Sequence, residues 1–112
     1  MAFSKASEFT RKEQELAALA KALSHPARLQ ILKILANRTD CVCGEIVEVL
    51  PLAQSTVSRH LMELAKAGLI SGTVEGPRSC YCLNRKNFLK LGEMFGELLE
   101  LVHREDSRKK CC

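Results

Sequence analysis

Residues 54–70 read QSTVSRHLMELAKAGLI, and this stretch decides the fold that we predict for the chain. Apolar residues recur at helical spacing at Val57, Leu61 and Leu64, and Gly68 follows them. This pattern predicts an amphipathic helix that buries one face and stops at the glycine. The opposite face of its first turns is polar and carries no acidic residue, which favours contact with a polyanion.

The segments on both sides of this helix predict a winged helix-turn-helix. Further helices are expected over residues 8–24, 26–37, 43–50 and 86–106. The short third one, CGEIVEVL, ends at Pro51, so it forms a helix-turn-helix with the helix that opens at residue 54. LISGTVEGPRSCYCLN, residues 69–84, predicts a β-hairpin with EGPR at its tip. The predicted class is therefore mostly α with a small hairpin, in the order α-α-α-α-β-β-α.

Length and composition predict one small domain. The chain has 112 residues, with 17 Lys and Arg against 13 Asp and Glu, for a net charge of +4. This balance is compatible with a nucleic-acid partner. No signal peptide and no apolar run of about 18 residues is present, so we expect a cytoplasmic protein without a membrane partner. Residues 1–106 are expected to form the winged helix-turn-helix domain with terminal dimerisation helices, and residues 107–112 a flexible tail that contains cysteines.

The last predicted helix carries an apolar face that is wide for a small domain. One stripe runs along it and a second row widens that stripe: Phe88, Leu91, Phe95, Leu98, Leu99 and Val102, then Leu89, Met94 and Leu101. Such a face can exceed what the core of one chain covers. We expect it to form a homodimer interface, with simple core packing as the alternative.

Polar residues at the start of the 54–70 helix are the candidate DNA readers. In a helix-turn-helix, the N-terminal residues of the second helix contact base edges in the major groove. The side chains that meet this description are Gln54, Ser55, Thr56, Ser58, Arg59 and His60, and Arg78 at the hairpin tip is a candidate for phosphate or the minor groove. The alternatives are that Gln54 or Ser55 only caps the helix, that His60 packs inside, and that Arg78 is an ordinary exposed residue.

The 6 cysteines form three doublets. In a cytosolic chain they are expected to be reduced, which favours metal binding or redox sensing over a disulfide framework. Cys41 and Cys43 would point about 200° apart on a helix, so both can grip one ion only where the backbone is extended or unwound. Cys80 and Cys82 share one face of the predicted strand, where they either pack or ligate. The third doublet is Cys111 and Cys112.

Four segments together resemble the ArsR/SmtB family of winged-helix repressors: ALSHPARLQILKIL, CVCGEI, LAQSTVSRHLMELAKAGLI and EGPRSCYCLN. The resemblance covers roughly residues 15–105. It implies a homodimer that binds palindromic double-stranded operator DNA without a cofactor and leaves it when an inducer binds. It also implies that Cys41 and Cys43 supply soft thiolates to that inducer, with arsenite or antimonite expected before other soft metal ions.

The sequence departs from the arsenite-type pattern at one position. Such members often carry a third cysteine three residues after the second, where this chain has Ile46. Cys111 and Cys112 are the first candidates to complete the site, and Cys80 and Cys82 are the second. The last helix holds His103 and Asp106 without the upstream pair that zinc, nickel or cobalt sensors of the family use, so no such site is expected there.

Two other functions stay open. One is a repressor of the same fold that senses oxidants or persulfides through its thiols, and the other is a protein of another class that buffers metal in the cytosol without binding DNA. An enzyme is not expected, because the chain has no C-x-x-C pair, no phosphate-binding loop and no nucleophile beside an obvious base.

Overall fold

A computed structural model describes residues 8–38, 41–43, 49–75 and 78–108. Its helices and strands are α1 (Arg11–Ala22), α2 (Pro26–Ala36), β1 (Val42–Cys43), α3 (Gln54–Lys66), β2 (Ile70–Glu75), β3 (Arg78–Leu83) and α4 (Arg85–Arg108). The predicted class, helices with an antiparallel hairpin wing, is confirmed. The predicted third helix falls mainly on residues 44–48, which lie outside the described residues.

Local chemistry sets where the first two helices begin. The hydroxyl of Thr10 accepts a hydrogen bond from the Glu13 N–H at 3.1 Å, and the Glu13 carboxylate accepts one from the Thr10 N–H at 3.0 Å. This reciprocal pair is a capping box. Helix α2 starts at Pro26, as predicted, and Nδ1 of His25 accepts from the Ala27 N–H at 3.0 Å.

Gly68 ends α3 and directs the chain into the wing. Its φ of +82° is in the left-handed region, where a side chain is strained. The Gly68 N–H donates to Ala65 and the Leu69 N–H to Leu64, at 3.0 and 3.1 Å, which is a Schellman motif. The amide of Asn87 in α4 donates to the Gly68 carbonyl at 2.6 Å. The predicted stop at Gly68 is therefore confirmed, and the turn also anchors the last helix.

One apolar core joins these elements. Its most completely buried side chains are Ile31, Val42, Val57, Leu64 and Leu69. Leu91 and Met94 of α4 close the core from the C-terminal side. Because Val57 and Leu64 lie on one face of α3, burial of that face leaves the other face of the helix toward solvent.

The sheet has three strands in the order β1-β3-β2, so the wing has a neighbour that the sequence analysis missed. Strand β1 pairs antiparallel with β3, with Val42 opposite Tyr81 and Cys43 opposite Cys80. Cys43 therefore lies in a strand, and its predicted position at the start of a helix is wrong. The missed pairing is a long-range contact between segments about 40 residues apart, which local periodicity does not report.

Helix α4 divides into a packed half and an exposed half. Leu91 and Met94 are buried, whereas the later apolar residues Leu98, Leu99, Leu101 and Val102 are about half exposed. Ion pairs tie α4 to α1 on the packed side, Lys90 with Glu15 at 2.7 Å and Lys12 with Glu97 at 3.6 Å. No helix in the described ranges has the length and apolarity needed to cross a membrane.

Candidate functional site

The first turns of α3 present a polar surface to solvent. The predicted DNA readers that the structure exposes there are Gln54, Ser55, Thr56, Ser58 and Arg59. Behind them Val57 is fully buried and Leu61 is 4% exposed, so the helix is held from its apolar side. The helix N-cap is Ala53, not Gln54 or Ser55. Because no polar side chain occupies the N-cap, the polar side chains of the first turn are left for other partners.

His60 does not belong to this surface, and its predicted contact with DNA is corrected. The side chain is only 7% exposed. Its Nδ1 accepts a hydrogen bond from Nε of Arg28 at 3.1 Å, and its ring lies 4.3 Å from that of His25. Burial lowers the pKa of His60 below 6.5, and the charges of His25, Arg28 and Arg59 lower it further. His60 therefore joins α3 to α2 as a neutral ring.

Arg28 connects three helices around His60. Besides its bond to His60, its Nη1 lies 3.4 Å from the Lys21 carbonyl and 3.3 Å from the Ala22 carbonyl at the end of α1. The Lys21 carbonyl also accepts hydrogen bonds from the N–H and the hydroxyl of Ser24, at 3.1 and 2.7 Å, so Arg28 adds a further donor at the end of α1. His60 is thus a common partner of His25 and Arg28, a contact between distant segments that the sequence analysis did not predict.

The wing lies beside α3 and is a regular hairpin. Strands β2 and β3 pair from Ile70 with Leu83 to Glu75 with Arg78. Tyr81 lies over Gly72, where an added Cβ would sit 2.6 Å from the tyrosine ring. Arg78 is the first residue of β3, next to the tip, as predicted; its side chain and residues 76–77 lie outside the described part.

Two of the three cysteine doublets meet across the β1–β3 ladder. Cys41 and Cys82 form a disulfide, with Cα atoms 4.4 Å apart. Cys80 is disulfide-bonded as well, and the residue opposite it in the ladder is Cys43. The expectation that these cysteines carry free thiols is therefore corrected for Cys41, Cys80 and Cys82. Cys111 and Cys112 lie outside the described residues.

The strand register places the two doublets on one face of the sheet. Val42, Tyr81 and Gly72 form a row across it, and Val42 is 1% exposed, so this row lies on the core side. Alternate positions of a strand lie on opposite faces, so positions 80 and 82 of β3, position 43 of β1 and position 41 just before it fall on the other face. Cys41 is exposed and Cys80 and Cys82 are half-buried, which leaves the face open to small solutes.

The backbone at Cys43 has the extended form that the sequence analysis required of a thiolate pair. Thiolates are soft donors, and Val42–Cys43 has the extended backbone that two cysteines at spacing i, i+2 need in order to share one ion. Among the side chains that the structure describes, which exclude that of Cys43, no His, Cys, Asp or Glu group of three or more is placed to hold a metal. His103 is exposed on α4, and the side chain of Asp106 lies outside the description.

A helix with an exposed polar face, held from its apolar side and with a β wing beside it, is typical of a winged-helix DNA-binding protein. The sequence profile described as "Bacterial regulatory protein, arsR family" matches residues 25–71. The regulator CmtR of Mycobacterium tuberculosis is 35% identical over 100 residues, which span 89% of this chain and 81% of CmtR. The arsenical resistance operon repressor of Bacillus subtilis is 34% identical over 108 residues, 95% of each chain. The chain belongs to the arsR family and is a transcriptional regulator, not an enzyme.

Solved structures agree on the fold. A crystal structure of an ArsR family transcriptional regulator superposes with a TM-score of 0.72 at 20% identity, over 85% of this chain and 97% of the other. HlyU from Vibrio cholerae superposes with a TM-score of 0.63 at 28% identity, over 86% of this chain and 96% of HlyU. The hairpin and helix arrangement found here is therefore that of ArsR-like regulators.

Proposed function

We propose that this protein is a repressor that leaves its operator when a thiophilic metalloid or metal binds its cysteine thiolates. Arsenite or antimonite is the first inducer to test. The observation that carries the proposal is the contact of Cys41 with Cys82, which joins the segment before the helix-turn-helix to the wing. An event at these sulfurs acts directly on two DNA-binding elements.

DNA binding follows from the exposed face of α3. Gln54 and Arg59 carry hydrogen-bond donors suited to adenine and to guanine or phosphate, and Ser55, Thr56 and Ser58 serve several bases. The net charge of +4 favours the phosphate backbone. No cofactor is needed for these contacts. Binding should weaken as the salt concentration rises. Protein binding releases cations from the DNA, and this release contributes less free energy when the solution already holds more cations.

The active form is a cytoplasmic homodimer built on α4 and the N-terminal helix. The residues Leu98, Leu99 and Val102 follow the packed half of α4 and form an apolar surface that is about half exposed. A second copy on this surface would present two α3 helices to a palindromic operator. In this proposal residues 1–106 form the domain, and residues 107–112 a flexible tail.

The thiols supply the inducer site. Cys41 and Cys43 are its central ligands, and either the tail, with Cys111 and Cys112, or the wing, with Cys80 and Cys82, completes it. In the reduced protein, a soft ion would bind these thiolates through strong metal–sulfur bonds. One relative is an arsenical resistance operon repressor by name, which supports the choice of arsenite.

A second candidate function, redox sensing, is favoured by the disulfide itself. Oxidation of Cys41 and Cys82 by a peroxide releases two protons and two electrons, forms the S–S bond and converts hydrogen peroxide to two waters. The resulting cross-link would act on the same two elements as a bound ion. If no operator complex forms, the conclusion would be that the protein buffers thiophilic metal without binding DNA.

The test is a gel shift with the reduced full-length chain on the DNA upstream of its own coding region. The wild type should bind, and arsenite should release it. The double variant C41S/C43S should bind equally well and ignore arsenite, whereas C111S/C112S tests the tail. If arsenite does not release the wild type from the DNA but peroxide does, redox sensing would replace the metalloid function.

A further inference from the structure

We propose that the wing supplies the missing ligands: Cys80 and Cys82 of β3 complete the thiolate site begun by Cys41 and Cys43. This inference rests on the proposed function, in which Cys41 and Cys43 bind the inducer. It assigns the remaining ligands to the body of the domain and removes the need for Cys111 and Cys112.

The ladder between β1 and β3 carries the argument. Cys43 lies opposite Cys80, and the antiparallel register continues to Cys41 opposite Cys82, whose sulfurs are bonded. Cys80 and Cys82 lie in β3, Cys43 lies opposite Cys80 in β1 and Cys41 comes just before β1, so the four positions are the corners of one small patch. Metal–sulfur bonds are about 2.3 Å long. Two sulfurs that are close enough to form a covalent bond therefore need only a small rotation of their side chains to bind the same ion.

The surroundings suit entry and binding of an ion. The four positions share the face of the sheet opposite Val42, which is 1% exposed and faces the core. On the other side of β3, Thr73 of β2 pairs with Cys80, and Ser71 of β2 pairs with Cys82 and is exposed. The ion can therefore reach the sulfurs from solvent without opening the core.

The number of sulfurs decides which ions fit. Four thiolates form the tetrahedral set that a divalent soft cation such as Cd²⁺ or Zn²⁺ takes. Three of the four suffice for trivalent arsenic or antimony, so the absence of a cysteine at Ile46 is compensated within the domain. Both classes of ion are thiophilic and would bind between the two strands. They differ in the number of thiols that they occupy, which is four for a divalent cation and three for trivalent arsenic or antimony.

Coupling to DNA follows from the strands that the ion would join. Strand β3 of the wing lies between β2 and β1 in the sheet, and β1 precedes α3 in the chain. An ion bound across them fixes the wing relative to the segment that precedes α3. The disulfide and the ion exclude each other, because a sulfur in an S–S bond has no thiolate to donate.

The experiment counts protected thiols in the reduced full-length protein. Disulfides are reduced with a phosphine under nitrogen, Cd²⁺ or arsenite is added, and free cysteines are alkylated and mapped by peptide mass spectrometry. Cd²⁺ should protect Cys41, Cys43, Cys80 and Cys82, arsenite three of them, and neither ion should protect Cys111 and Cys112. Oxidation before addition of the ion should abolish binding.

Matched variants complete the test. C80S/C82S should weaken Cd²⁺ affinity by at least about 100-fold, since even changes outside the ligand shell cost about 10–100-fold. C111S/C112S should keep the wild-type affinity, and unchanged operator binding shows that each variant is folded. Protection of the tail pair together with Cys41 and Cys43 would overturn this inference and leave the proposed function intact. Failure of any ion to protect Cys41 and Cys43 would overturn both.

Discussion

The Nε of Arg28 donates a hydrogen bond to Nδ1 of His60 over 3.1 Å and thereby joins α2 to the helix whose outer face we assign to DNA. Nδ1 accepts this bond only while it carries no proton, so His60 must stay neutral. The His25 ring contacts the same ring in a tilted arrangement, with centroids 4.3 Å apart, and adds a second ionisable group to a site without an acidic partner among its described contacts. The position of α3 therefore depends on the protonation of His60.

Stability should fall in mild acid. Burial lowers the pKa of His60 below 6.5, and His25, Arg28 and Arg59 act in the same direction. Between 6.5 and the lowered value the unfolded chain binds more protons than the folded one, so the free energy of unfolding decreases as pH drops through this window. Urea unfolding of the wild type at stepwise lower pH measures the slope. H60Q should show a smaller slope, whereas H103Q, which removes an exposed histidine, should keep it.

Loss of the Arg28 guanidinium should destabilise the domain. R28M removes the bonds to the Lys21 and Ala22 carbonyls and to Nδ1 of His60, and the contacts to Ala22 and His60 are part-buried. We expect a loss of about 1–3 kcal/mol in the free energy of unfolding. K33M on the same helix removes an exposed cation and should change stability by less than about 0.5 kcal/mol. Equal effects of the two substitutions would contradict the role assigned to Arg28.

A side chain at Gly68 should be costly, although the same change at Gly96 should not. G68A places a Cβ at φ +82° and 2.9 Å from the Asn87 amide, so we expect a loss of about 1–2 kcal/mol. Gly96 lies within α4 with nothing within 4 Å of an added Cβ, and G96A should stabilise by about 0.5–1 kcal/mol. Thermal unfolding of both variants measures the contrast. A neutral G68A would show that the turn after α3 tolerates a different conformation.

Arg59 should contribute to operator affinity. It is exposed on the polar face of α3, so R59A should lose about 1–3 kcal/mol of binding, or roughly 5–150-fold in affinity, with little change in stability. K66A removes the same charge at the other end of the helix and serves as the control. Fluorescence anisotropy with operator and unrelated duplex separates base readout from phosphate contact. If K66A weakened binding as much as R59A, net charge rather than position would explain the effect.

The second half of α4 should control the oligomeric state. The double variant L98E/V102E puts charges into the half-exposed apolar surface and should yield monomers by analytical ultracentrifugation. K86E is the control, because Lys86 is exposed at the other end of the same helix and is not part of the predicted apolar face. A dimer that persists in L98E/V102E would place the interface elsewhere.

The sequence was sufficient for the elements whose causes are local. The alternation of Val57, Leu61 and Leu64 with polar residues predicted α3 and its buried face, and Gly68 marked its end. Pro26 marked the start of α2. These features depend on backbone geometry and side-chain spacing within a few residues, and both can be read directly from the chain.

The cysteines show where local reasoning stopped. Spacing alone predicted that Cys41 and Cys43 need an extended backbone to act together, but the third helix was expected to begin at Cys43. Strand β1 exists because β3 lies beside it, and a two-residue strand has no periodicity of its own. The partner of Cys41 was therefore visible only once the ladder was formed.

The sequence by itself determined the winged-helix class, the helix that carries the polar face and the family to which the chain belongs. Tertiary structure decided that His60 is inside and that two distant cysteine doublets share one face of a sheet. The reason is physical: helical periodicity and turn chemistry are short-range, whereas burial of a ring and contact between sulfurs depend on which distant segments pack together.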